Sequence, residues 1–279
     1  INNPNYKNSD KSLNFNIQAI ELDRIKANGY KTNKTGFELG TSFEYYDDFY
    51  FGISSRSFYE KIDTVSTASN RMQSQEGDYW DTFISLNFDY DKRNQKFRPD
   101  EGFRSNFNMD VPILSDNYTL TNTYSFQKYT SLYENNLTSF SFFVESANSI
   151  TGKDVKLSER LFLSSKRLRG FEKGKVGPKD GKDYIGGNFA AAINANTSLP
   201  FLFQNSQNID GTIFLDVANL WGVDYDSSLD DKDVIRSSIG IGIDWYTPLG
   251  PLTFSLSETL SKADTDKEQS FSFNIGTTF

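Results

Sequence analysis

Ile235-Arg236-Ser237-Ser238-Ile239-Gly240-Ile241-Gly242-Ile243-Asp244-Trp245 alternates large apolar side chains with small or polar ones along nearly its whole length. Successive side chains of a strand point to opposite faces, so this stretch predicts a strand with one apolar and one polar face. It is close to the roughly ten residues that a tilted strand needs to cross a bilayer. The question is whether the rest of the chain repeats it.

It does on both sides. Downstream, Pro248-Leu249-Gly250-Pro251 reads as a tight turn. A strand over 252–256 carries Leu252, Phe254 and Leu256, a polar loop covers 261–268, and Phe271, Phe273, Ile275, Thr277 and Phe279 close the chain. Upstream lies an acidic loop, 225–233. Before it, Ile213, Leu215 and Val217 alternate with Thr212, Phe214 and Asp216. The same alternation predicts strands over 12–22, 37–45, 49–61, 80–90, 103–111, 118–130, 137–146 and 186–199. Polar loops are expected at 26–35 and 63–77, the second too polar to pack. Twelve strands result, joined alternately by short turns and longer loops, the habit of a membrane barrel. No helix-period stretch competes and no domain boundary is visible.

Composition agrees. Aromatic residues make up 15% of the 279 residues, with 25 Phe and 15 Tyr, while mean hydropathy is only −0.57. An apolar lipid face with aromatic girdles around a polar interior fits both numbers. A soluble β-rich protein would need a second sheet over each apolar face. The net charge of −8 argues against a nucleic-acid partner. The absence of Cys and His removes thiolate chemistry, the commonest general base and the commonest transition-metal ligand. With no nucleophile elbow either, an enzyme is not expected, and no cofactor or metal site is expected. The acidic cluster Asp224, Asp226, Asp230, Asp231 and Asp233 matches no calcium loop and is expected to be a solvated loop. The chain opens on Ile1 and a turn-like Asn-Asn-Pro-Asn, so a processed or truncated chain is expected.

One segment, 147–185, lacks strand periodicity. It is rich in Lys, Gly and Asp, yet it holds Leu161, Phe162, Leu163, Leu168 and Phe171. Within it, Lys166-Arg167-Leu168-Arg169-Gly170-Phe171 looks like a tip meant for burial. Gly170 lets the backbone turn, Phe171 packs, and Arg169 needs an acidic or aromatic partner.

Leu168-Arg169-Gly170-Phe171 resembles the Val-Arg-Gly-Phe motif of the outer-membrane insertase family of the BamA type. Further similar motifs follow in the family's order. They are Val176-Gly177-Pro178, Gly186-Gly187-Asn188, Phe214-Leu215-Asp216-Val217-Ala218-Asn219-Leu220-Trp221, Ile235 to Gly240, Trp245, Pro248 to Leu252, and Phe271 to Gly276 ending at Phe279. Arg98-Pro99-Asp100-Glu101-Gly102 resembles a periplasmic turn upstream. The resemblance is strong from about Asp91 onward and weaker but colinear before it.

The resemblance implies an all-β transmembrane antiparallel barrel with the long loop folded into its lumen. The twelve strands would be the last twelve of a sixteen-strand barrel, without the preceding POTRA modules. It implies that Arg169 pairs with Asp216. The family often has a Glu on the preceding strand where this chain has Asn196, which would leave Asp216 as the single charged partner. The last strand, with Phe271, Phe273, Ile275, Gly276 and Phe279, would carry the C-terminal signal and one side of a lateral gate. Implied partners are unfolded outer-membrane barrel clients, outer-membrane lipids and, through the POTRA modules, accessory lipoproteins. Two alternatives stand beside an insertase. One is a two-partner-secretion transporter of the same superfamily, and the other is a passive twelve-strand porin.

Overall fold

A computed structural model describes residues 2–204, 206, 208–247 and 250–275. Among the described residues, twelve principal strands run up and down along the chain. They are β1 (Lys11–Asp23), β2 (Tyr30–Tyr46), β3 (Phe49–Thr64), β4 (Gly77–Asp91), β5 (Gly102–Leu114) and β6 (Thr119–Thr130). Then follow β7 (Thr138–Ser149), β8 (Phe189–Ser198), β9 (Ile209–Trp221), β10 (Arg236–Thr247), β11 (Gly250–Ser261) and β12 (Phe271–Ile275). Each pairs with its neighbour in sequence, including β7 with β8 across the long loop, and Asn2–Asn3 adds a short strand beside β1. Among the described residues the two edges of this sheet do not pair with each other.

The polarity of the wall is inverted relative to a soluble domain. On β10, Ile239, Ile241, Ile243 and Trp245 are exposed, while Arg236 and Ser238, on the opposite face at the start of the strand, are fully buried. On β9, Ile213 and Leu215 are exposed and Asp216 is fully buried. Outward apolar and inward polar side chains leave the outer face stable only against hydrocarbon. Aromatic rows cross that face. Phe43, Phe51, Phe88 and Phe107 lie directly opposite one another on β2 to β5. Tyr59 and Trp80 pair near one rim, and Tyr45, Tyr46, Tyr50 and Trp245 are exposed near the other. From Trp80 to Tyr90 along a tilted β4 is about 25 Å of height, the thickness of an outer-membrane apolar band.

The buried apolar residues lie inside the concave face. One cluster joins Leu161, Leu163, Leu168, Phe171 and Val176 of the long loop to Ala190, Ala192, Ala218 and Leu220 of β8 and β9. A second joins Leu157 and Ile185 of the loop to Tyr30, Ala68, Met72 and Val223. The long loop is therefore the core of the molecule, and the wall is its shell.

Several loops differ from the polar reading of their sequence. Segment 26–35 is not a loop: after the one-turn helix Ile25–Asn28, β2 begins at Tyr30. Tyr30 is buried and donates to the Leu157 carbonyl at 3.0 Å, so the strand rises to meet the long loop. Segment 63–77 does pack: the helical turn Asn70–Gln73, capped by Ser69, buries Met72. The acidic loop is not simply solvated, because Asp224 pairs with Arg160 and Asp231 pairs with Arg236 at 2.7 Å. Asp266, in the last polar loop, is buried against Arg236 at 2.7 Å. Tyr30, Asp224 and Asp266 find their partners 30 or more residues away, so no local pattern reveals them. Nor is the alternation of short turns and long loops strict: connection 92–101 is longer than 115–118, which leaves on the opposite rim.

Candidate functional site

The long loop leaves β7 after Ser149 and returns at Phe189. Its first part is tied to the rim by buried charge. Lys156 sits among Asp81, Glu60 at 3.4 Å and Glu159 at 3.4 Å, with the Tyr79 ring 4.9 Å away. Burial disfavours the ammonium, but the three carboxylates outweigh it and push the Lys156 pKa up. Burial raises the Glu159 carboxyl. Arg160 pairs with Asp224, donates to Asn188 Oδ1 at 3.0 Å and lies 5.2 Å from the Tyr225 ring. The rim thus holds the loop on both sides, and its tip descends into the lumen.

At the tip, Leu168-Arg169-Gly170-Phe171 lies against β8, β9 and β10. Asp216 is fully buried on β9, five residues in from the rim end at Trp221. Its Oδ2 accepts from the Arg169 backbone N–H at 3.1 Å and from Arg169 Nε at 2.7 Å. Its Oδ1 accepts from Arg169 Nη2 at 2.6 Å and from Asn194 Nδ2 at 2.8 Å. Asn194 stands directly opposite Asp216 on β8 and also donates to the Arg167 carbonyl at 2.8 Å. Arg169 Nη2 also reaches Asn196 Oδ1 at 2.7 Å. The guanidinium lies flat over Phe214, 3.4 Å from the ring centroid. Planar fork, bidentate acid and aromatic face together make this an arginine site that lysine cannot reproduce.

Two glycines make room for it. Gly170 has φ +87, which a side chain rarely adopts, and an added Cβ would stand 3.2 Å from the Cβ of Ser238. Gly240 lies opposite Phe214 on β10, and a Cβ there would meet that ring at 2.4 Å. Leu168 and Phe171 flank the arginine and are buried in the loop cluster. Below the tip is a lumen cavity of about 440 Å³, bordered by Arg167, Lys166, Asp210, Asp244 and Tyr246.

The residues assigned to the last strand sit apart from Asp216. Phe271, Phe273 and Ile275 point outward and are exposed, and Ser272 and Asn274 point in. Gly276 and Phe279, like Pro248 and Leu249 of the turn motif, lie outside the described residues. Among the described residues β12 is registered against β11 over Leu252–Leu256, and β10 against β11 from Gly250 to Ser261. The site also contains contacts that the sequence reading did not single out. Arg98 crosses under the lumen from connection 92–101 to Asp210 at 2.6 Å and stacks on Tyr246 at 4.6 Å. Asn194 and Ser238 complete the network around Arg169, and their positions on the polar face of clean strands were the available signal.

Comparison with known proteins places this geometry in context. The Omp85 superfamily domain matches residues 1–279. The outer membrane protein assembly factor BamA of Neorickettsia risticii is 27% identical over 262 residues, covering 91% of this chain and 35% of the relative. That of Neisseria meningitidis serogroup B is 29% identical over 139 residues, covering 40% of this chain and 17% of the relative. The chain thus spans about a third or less of these relatives' length. Among solved structures, BamA from Haemophilus ducreyi lacking POTRA domains 1–3 superposes with a TM-score of 0.88 at 22% identity, over 98% of this chain and 60% of that one. CdiB from Acinetobacter baumannii superposes with a TM-score of 0.59 at 10% identity, over 95% and 47%.

Proposed function

The chain belongs to the Omp85 superfamily and is an outer-membrane β-barrel, and from that premise we propose that it folds and inserts other β-barrel proteins into the outer membrane. It acts without covalent chemistry, cofactor or external energy source. Its clients are unfolded barrel proteins, and lipids and accessory lipoproteins assist them.

The observation that carries this reading is the long loop pinned by the Arg169–Asp216 site inside a wall of the Omp85 superfamily. The Arg169–Asp216 site fixes the loop inside the wall, where its core packs against β8 and β9. In this reading β12, paired with β11 at the end of the described sheet, is the strand at which a client would add. A strand edge with free N–H and C=O groups is a template for an incoming strand. Each client strand added there satisfies its backbone before it meets hydrocarbon, where an unpaired amide is costly.

The test is a folding assay in vesicles of phosphatidylethanolamine and phosphatidylglycerol. A urea-unfolded eight-strand barrel is diluted onto vesicles with and without this protein. Faster appearance of the compact, protease-resistant client with the protein supports the reading. Equal rates in both vesicle sets overturn it.

A further inference from the structure

The motif loop touches more of the wall than its acidic partner requires. Arg169 reaches β9 through Asp216, and β10 through the Ser238 hydroxyl, which donates to its carbonyl at 2.6 Å. Gly170 reaches β11, where the Thr259 hydroxyl donates to its carbonyl at 3.3 Å. Gly170 and Phe171 then pair antiparallel with Gln269 and Glu268, the residues that lead into β12. The ladder continues as the Glu172 N–H donates to the Lys267 carbonyl at 2.8 Å, and the Lys267 N–H to the Lys175 carbonyl at 3.1 Å. Ahead of the motif, the Ser165 hydroxyl donates to Asn274 Oδ1 in β12 itself at 3.1 Å. Residues 165–175 therefore form a strap across the inside of β9 to β12, and it grips the last strand at two places.

The two ends of this strap differ in chemistry. On β9 the contact is a charged fork on a fully buried carboxylate, and separating it leaves an uncompensated charge. On the β12 side the contacts are neutral backbone pairs and a partly exposed Ser–Asn bond, which water can replace. The neutral end yields first, while the charged end stays in place.

We infer that the motif loop positions the last strand. Ser165, Gly170, Gln269 and Asn274 hold β12 against β11, and Arg169 with Asp216 anchors the fixed end of the strap. Release at the neutral end frees the edge of β12 without dissolving the loop core. The geometry stands by itself, and its consequence for clients rests on the insertase reading.

Cysteine pairing and hydrogen exchange test this in the full chain in lipid vesicles. The chain has no Cys, so Ser165→Cys with Asn274→Cys introduces a single thiol pair. Mild oxidation should join the two and slow amide exchange across 268–275. Gln269→Pro removes an N–H opposite Gly170 and should speed exchange there by about tenfold, with β9 and β10 unchanged. Should that variant fail to fold, Ser165→Ala releases the other grip and should speed exchange over 272–275. Thiols that do not join, or exchange in the folded variants equal to that of the parent, overturn the inference. Exchange is read with no client present, so a parent chain that fails to fold clients would sink the insertase reading alone.

Discussion

Asp216 Oδ1 lies 2.6 Å from Arg169 Nη2, although the two residues are 47 positions apart and belong to a wall strand and a loop tip. All four bonds that this carboxylate accepts come from the loop tip or from Asn194 beside it. Replacing it by Asn keeps the size and removes the charge. Asp216→Asn should cost about 3–5 kcal/mol, because Arg169 is left desolvated without a counter-charge. Denaturant unfolding followed by gel mobility measures this, and a loss under about 1 kcal/mol would show that the pair is only a solvated contact.

Arg169→Lys separates charge from shape. The ammonium keeps the attraction to Asp216 and gives up the planar fork and the flat contact with Phe214 at 3.4 Å. An intermediate loss of about 1–2 kcal/mol is expected. Stability equal to the parent would mean that charge alone holds the tip.

Gly240→Ala should be destabilising by about 1–3 kcal/mol, because the added methyl meets the Phe214 ring and has no room to relax. Its Cβ would also stand 2.3 Å from the Leu256 carbonyl, which is backbone and does not rotate away. A folded Gly240→Ala variant of parental stability would show that the ring is free to move out from under Arg169.

Asn196→Asp places a second carboxylate beside Arg169 Nη2, where Oδ1 already accepts at 2.7 Å. A charge-assisted bond replaces a neutral one, so the tip should be held more tightly by about 1 kcal/mol. The same change should slow client folding if release of the strap limits it. A weaker hold, read as a lower unfolding midpoint, would mean that repulsion from Asp216 dominates.

At the rim, burial alone would raise the Asp224 carboxyl, but Arg160 and the Val155 N–H at 2.6 Å outweigh it and hold the pKa below the usual carboxylate range. With the folded value depressed, the unfolded chain takes up the proton first as pH falls. The stabilisation is then whole above the ordinary carboxylate range and is lost as pH falls through the depressed one. Asp224→Asn should be less stable than the parent at neutral pH, and the gap should close as pH falls below the ordinary carboxylate range and through the depressed one. A gap that persists in acid would place the stabilisation elsewhere.

The twelve strands, their faces and the outer-membrane setting were legible in the sequence because alternation is local. Ile239, Ile241 and Ile243 announce a face wherever they fold, and only lipid satisfies an apolar face on a single-layer wall. The loop motif was legible because Leu168 and Phe171 are out of place in a solvated segment. The packed rim was not legible. Lys156, Arg160, Asp224 and Arg236 carry no local sign of burial, and each pairs with a charge 30 or more residues away. Arg98 beneath the lumen was hidden for the same reason.

By itself, then, the sequence determined which residues face lipid, which face inward, and which loop carries buried-type side chains. The tertiary structure decided what meets inside: that Arg169 finds Asp216 and Phe214 together, that Gly170 pairs with the segment entering β12, and that the rim charges close over the loop. Periodicity acts between neighbours one and two residues apart. These contacts join segments tens of residues apart, and they exist only once the wall has curved and brought its polar faces around a common interior.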